Sequence, residues 1–204
     1  MVGAVLTQNT AWTNVERALA RLKARTSLEA SALLALDPDA LAEALRPAGY
    51  FNVKARRLTA FCDYYLESGG FAGLDALDTA TLRHGLLAVK GIGPETADDM
   101  LLYAFGRPVF VVDAYTRRIF GRLALLAGDE DYETIRAACE QALGPDVQLF
   151  GEYHALIVRH GKEVCRTRPD CPPCPLVADC PAAVLAPEAG LTTRKPRRTY
   201  AKSR

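Results

Sequence analysis

Four of the six cysteines fall within sixteen residues, as Cys165, Cys171, Cys174 and Cys180, with gaps of five, two and five residues. The chain opens Met1-Val2-Gly3-Ala4-Val5-Leu6, without a basic leader or a long apolar run. Export is therefore not expected, the expected address is the cytoplasm, and disulfides are disfavoured there. Thiolates bunched this closely hold metal, and two centres accept four sulfurs, a tetrahedral zinc ion or a 4Fe-4S cluster. Spacing alone leaves both open. The wide final gap, unlike the paired two-residue gaps of many zinc sites, leans toward the cluster. Cys62 and Cys139 stand alone on apolar helical faces and read as small core hydrophobes.

A second chemistry-bearing stretch is Val89-Lys90-Gly91-Ile92-Gly93-Pro94-Glu95-Thr96-Ala97, followed eighteen residues beyond Glu95 by Asp113. Taken alone, a Gly-x-Gly turn with proline at a helix start is ordinary connector grammar, and an aspartate between an apolar run and a helix is an N-cap. The alternative is a helix-hairpin-helix, in which Gly91 and Gly93 let backbone N–H groups at the second helix approach a DNA phosphate.

The elements that must position these groups are helical. Apolar residues recur at helical spacing through Val5 to Leu22, Leu28 to Leu36, Leu41 to Leu45, Leu58 to Leu66, Leu82 to Val89 and Ala97 to Phe105, giving about six short helices before Arg107. Asp37-Pro38, Pro47-Ala48-Gly49 and Ser68-Gly69-Gly70 mark breaks, and Asn52 is placed to cap the helix after it. Helices resume at about Ala114 to Leu125, Glu133 to Leu143 and Phe150 to His160. The composition shift at Gly106-Arg107-Pro108 divides the chain into a lobe over 1–107, with the hairpin at about 82–105, and a second lobe over 108–182 that ends in the cysteines. Residues 183–204 read as a basic, disordered tail. Net charge is +1, yet 191–204 hold six basic and no acidic residues, leaving −5 on the remainder. Such a tail is a solvated terminus unless the body binds nucleic acid, where it becomes a phosphate tether. No apolar run is long enough to span a bilayer, so no membrane association is expected.

Hairpin, aspartate and four-cysteine loop occur in one order over nearly the whole chain, and His160-Gly161 directly precedes the loop. In that combination the chain resembles the endonuclease III branch of the helix-hairpin-helix DNA glycosylases. The resemblance implies an all-α, two-lobed fold, a six-helix barrel lobe beside a helical iron-sulfur lobe, acting as a monomer on double-stranded DNA that contains a damaged base. It implies that Asp113 is the catalytic carboxylate, that Gly91, Gly93 and Thr96 meet the DNA backbone, and that Cys165, Cys171, Cys174 and Cys180 hold a 4Fe-4S cluster. The family's first cysteine gap is one residue longer. Arg166 and Arg168 would face DNA phosphates. Gln8, in Leu6-Thr7-Gln8-Asn9-Thr10, corresponds to the glutamine that enters the gap left by a flipped base, and Tyr50, with Phe51 second, to the opposite-strand wedge.

One departure bears on the reaction. Glu95 stands where the bifunctional members carry a lysine, and a carboxylate cannot form the Schiff base of strand cleavage. Lys90, across the turn, is a poor substitute. The resemblance therefore implies a monofunctional glycosylase. Leu6-Thr7-Gln8-Asn9-Thr10 with Trp12, together with Gly-Ile-Gly-Pro-Glu-Thr-Ala, is most similar to the bacterial 3-methyladenine glycosylase branch. Alkylated purines are cationic, and an electron-rich pocket that includes Trp12 would suit them. The competing readings are removal of oxidised pyrimidines with or without lyase activity, a DNA-binding homologue without catalysis, and a zinc-stapled regulator. Family members also carry a helix before the Leu-Thr-Gln-Asn-Thr segment; with Met1 five residues ahead of Leu6, either that helix is absent or translation starts upstream.

Overall fold

The computed structural model describes residues 1–185; the basic stretch of 191–204 lies outside them. The described chain is helical: α1 (Val2–Thr7), α2 (Trp12–Lys23), α3 (Ala30–Leu34), α4 (Pro38–Leu45), α5 (Phe51–Glu67), α6 (Gly70–Asp75), α7 (Thr79–Ala88), α8 (Pro94–Phe105), α9 (Ala114–Arg122), α10 (Tyr132–Leu143), α11 (Val147–Glu163) and α12 (Pro181–Leu185). Among the described residues there is no strand, and no helix long and apolar enough to cross a membrane.

Two apolar cores organise these helices. The first joins α1 to α8 around Leu6, Leu22, Leu45, Leu58, Leu74, Leu86 and Leu101; the second joins α9 to α11 around Phe110, Ile119, Phe150 and Ile157. Helix α8 serves both, because Leu101 faces the first core and its neighbour Leu102 the second.

The helix count before Arg107 exceeds the expected six. The apolar period from Val5 to Leu22 is interrupted, because Asn9 adopts φ 54° and the chain turns over Gln8–Ala11 between α1 and α2. Asn52 does not cap α5. Tyr50 holds the cap position in the left-handed region (φ 46°), which leaves Asn52 inside the first turn. Helix α12 begins at Pro181 and runs into the stretch assigned to the tail.

The link from α8 to α9 is an irregular, buried strap, Val109–Val112, two of whose N–H groups are met by side chains of one helix. Phe110 N–H donates to Glu140 Oε1 at 3.0 Å, and Val112 N–H faces the Tyr132 hydroxyl at 3.4 Å. Helix α10, which supplies both acceptors, is tied to α7 and α8 by Arg83. That guanidinium donates to both oxygens of fully buried Asp98, at 2.7 and 3.1 Å, and to Glu133 at 2.7 Å. An isolated buried carboxylate would be costly, and these contacts let Asp98 lie between the cores. The strap therefore delivers Asp113 to a fixed place.

Candidate active site

Asp113 caps α9. Its Oδ1 accepts from Thr116 N–H at 2.7 Å and Thr116 Oγ1 at 2.9 Å, while the Thr116 hydroxyl faces the Asp113 N–H at 3.4 Å. The ordinary N-cap reading is thus correct as local structure, but it uses only one oxygen. The other, Oδ2, faces His154 Nε2 at 3.8 Å. Burial by itself would raise the pKa of Asp113, but the His154 and Thr116 contacts outweigh it and hold the carboxyl below its usual range.

A cleft of about 1700 Å3 opens in front of this carboxylate, between the two cores. Gln8, Gly91, Gly93, Glu95, Thr96 and Asp113, nominated from sequence, all line it. Glu95 sits in the first turn of α8, where the helix dipole favours the anion. Shielding within the cleft, then Asp113 and Asp99, override that preference and push it up to about 7. Asp99, one turn on, is raised to about 6 by burial and, despite the opposing pull of His154, by Asp113 and Asp98. Trp12 is half-exposed on the same cleft and donates through Nε1 to Glu16 at 3.1 Å, so it is not a core indole.

The loop after α1 is bound to the hairpin. Gln8 Nε2 donates to Gly91 O at 3.1 Å and Thr96 Oγ1 at 3.0 Å, and Gln8 Oε1 accepts from Arg57. Gly91 has φ 94°, and a Cβ there would come within 2.4 Å of Arg57 Cγ, so this position needs glycine twice over. Gly93 differs, because a Cβ there would meet nothing within 4 Å.

Three nominated residues stand apart from the cleft. Tyr50 is 73% exposed, its loop pinned from below by buried Lys54, whose ammonium donates to Ala48 O at 2.6 Å. Arg166 and Arg168 are exposed beside the cysteine loop. Lys90 is exposed and does not line the cleft, whereas Lys162 of α11 does. Tyr103, His154, Asp99, Arg57 and Lys162 escaped the sequence reading. For all but Arg57 of α5 the signal was a four-residue spacing, Glu95, Asp99 and Tyr103 on α8 and His154, Val158 and Lys162 on α11, which turns one face of each helix into a cleft wall.

The four cysteines of the loop surround a second, small cavity of about 50 Å3, with Ile119, Leu123 and Val164 as apolar walls. Arg122 donates to Cys165 Sγ at 3.1 Å, Cys180 Sγ donates to Arg122 O at 3.5 Å, and Cys174 Sγ lies 3.7 Å from His160 Nε2. Among the described residues, no three His, Cys, Asp or Glu side chains gather as ligands of a single ion. Cys62 and Cys139 lie elsewhere, each pushed up to about 11 by burial, consistent with packing residues.

The chain is similar to several known proteins. The family model for the HhH-GPD superfamily base excision DNA repair protein matches residues 2–145. The chain belongs to the HhH-GPD superfamily. A Methanocaldococcus jannaschii protein carrying the name of a DNA repair glycosylase is 46% identical over 184 residues, 88% of this chain and 83% of its own. Among solved structures, the H. pylori 3-methyladenine DNA glycosylase bound to 1,N6-ethenoadenine matches with a TM-score of 0.68 and 31% identity, over 79% of this chain and 83% of that one. An endonuclease III–DNA complex matches with a TM-score of 0.77 over 90% of this chain and 82% of that one; at 22% identity it shows the fold. This HhH-GPD protein is thus a DNA repair glycosylase of all-α, endonuclease III-like fold.

Proposed function

We propose that the cleft is the active site of a monofunctional DNA glycosylase that hydrolyses the N-glycosidic bond of an alkylated purine in duplex DNA, with Asp113 as its catalytic carboxylate. The observation that carries this is the pairing of Asp113 with Glu95 in one cleft. An ionised carboxylate at 113 stabilises the positive charge that develops on deoxyribose as the base leaves and directs the incoming water; a carboxylate at 95 cannot become an imine. Glu95, Asp99 and Asp113, with the half-exposed Trp12 ring, make an electron-rich lining suited to a cationic base. The likeness to a 3-methyladenine glycosylase supports the same substrate class.

DNA would reach the cleft along the hairpin. Gly93 leaves open space over the α8 N-terminus for a phosphate, and Tyr50 projects as an opposite-strand wedge from a backbone held in the left-handed region. Gln8 enters the vacated stack after giving up its hairpin contacts, and Arg166 and Arg168 add phosphate contacts from the cysteine loop. Four sulfurs around one cavity, with Arg122 donating to Cys165, are the donor set that a 4Fe-4S cluster takes, and Cys165, Cys171, Cys174 and Cys180 would hold it. Bound there, it would order the loop that carries those arginines.

DNA treated with dimethyl sulfate tests the substrate assignment. Free 3-methyladenine or 7-methylguanine should appear with enzyme and not with Asp113→Asn. Release only from duplexes with oxidised pyrimidines would replace the assignment. One observation favours a second reading: Lys162 places an amine in the cleft. A borohydride-trapped adduct that disappears in Lys162→Ala would make the enzyme a lyase.

A further inference from the structure

Buried side-chain nitrogens are nearly always hydrogen-bonded, yet His154 Nε2 has no hydrogen-bond partner. The residue is 8% exposed and lies on α11, packed against α8 and facing the cleft. Its other nitrogen is firmly held, with Nδ1 2.7 Å from the Tyr103 hydroxyl of α8. That hydroxyl has one proton and two candidate acceptors, His154 Nδ1 and Gly151 O at 3.4 Å. Assigning the proton to the shorter contact puts the imidazole proton on Nε2, aimed at Asp113 Oδ2 across 3.8 Å. Thr116 occupies only Oδ1, so the free carboxylate oxygen and the unpaired imidazole N–H face each other. The gap is slightly too long for a hydrogen bond, as catalytic contacts commonly are before substrate closes the site.

We propose that His154 is a positioning residue for Asp113, with Tyr103 fixing the imidazole, so that the direction and charge of the carboxylate depend on the docking of α11 against α8. This rests on the glycosylase reading only for its effect on base release; the coupling itself is a property of the protein alone. The groups facing the pair make such a contact necessary. Glu95, Asp99 and Tyr103 look in from α8, Tyr132 from α10, Arg118 from α9 and Lys162 from α11. Two of these are carboxylates that oppose ionisation of Asp113, and Arg118 is turned to the Cys165 and Gly161 carbonyls, whereas His154 faces Oδ2 directly.

Carbon-13 NMR of aspartate-labelled protein tests the coupling, with the Asp113 carboxyl identified as the signal missing from Asp113→Asn. In His154→Leu its titration should move upward by about half a pH unit or more. Tyr103→Phe should shift it in the same direction by less, and His154→Gln, which keeps an N–H donor, should stay near wild type. A merely structural histidine would lower thermal stability and leave the titration in place. In base-release assays, His154→Leu should slow single-turnover excision about ten- to hundredfold and move the acid limb of the pH profile upward. An Asp113 titration unchanged in folded His154→Leu overturns the proposal. If that variant does not fold, an unchanged titration in Tyr103→Phe does so. Wild-type protein that shows the coupling but releases no base overturns the glycosylase reading and leaves this one standing.

Discussion

Gln8 Nε2 donates to Thr96 Oγ1 at 3.0 Å, fastening the loop after α1 to the second helix of the hairpin. The glutamine expected to enter DNA is therefore not a free probe in the unbound protein. Gln8→Ala should lower stability by about 1–2 kcal/mol, since the carboxamide joins Gly91, Thr96 and Arg57. In gel-shift titrations it should also weaken binding to a duplex with an abasic site more than to an intact duplex. Equal losses on both would make Gln8 a fastener and nothing more.

Gly91 and Gly93 should separate stability from DNA affinity. Gly91→Ala forces a Cβ into φ 94° and against Arg57, and should cost about 1–3 kcal/mol in denaturant unfolding. Gly93→Ala meets no protein atom within 4 Å and should change stability little, while the added methyl stands where a phosphate would approach the α8 N-terminus. Unaltered DNA affinity in Gly93→Ala would move the phosphate contact elsewhere.

Much of this is legible in the amino-acid sequence. The helix-rich fold, the hairpin between α7 and α8, the capping role of Asp113 and the gathering of Gln8, Glu95 and Asp113 follow from local grammar and family likeness. The helix break at Asn9 was not legible, because the apolar period runs through it and only the left-handed backbone of one asparagine interrupts it. Nor was Tyr50 as the cap of α5, since an aromatic with positive φ contradicts local preference. His154 and Tyr103 were hidden for another reason. Each looks like an ordinary helical residue, and only the docking of α11 on α8 brings them to Asp113.

The raised carboxyls make a pH prediction with a definite sign. Glu95 titrates at about 7 and Asp99 at about 6 in the folded protein, above their usual values. A group whose folded value is raised stabilises fully below its unfolded value, and that stability is lost as pH rises through the folded one. Glu95→Gln and Asp99→Asn should therefore raise melting temperature at about pH 8 more than at about pH 4. A gain independent of pH would place both carboxyls in water.

Iron content and folding should depend on the cysteine loop. Protein purified anaerobically should contain iron rather than zinc, and Cys171→Ser should lose metal and loop order, with the cores of α1 to α11 retained. Stoichiometric zinc without iron would replace the cluster with a structural ion.

If Asp113 drives base loss without strand cleavage, one duplex carrying a single alkylated purine will show it. Wild-type enzyme should release the base and leave an intact strand that breaks only after alkali, with no adduct trapped by borohydride. Asp113→Asn should bind the same duplex with similar affinity and excise at least about a hundredfold more slowly, because the amide keeps the shape and loses the charge. Undiminished excision by Asp113→Asn, or a borohydride adduct with the wild-type enzyme, would contradict the account.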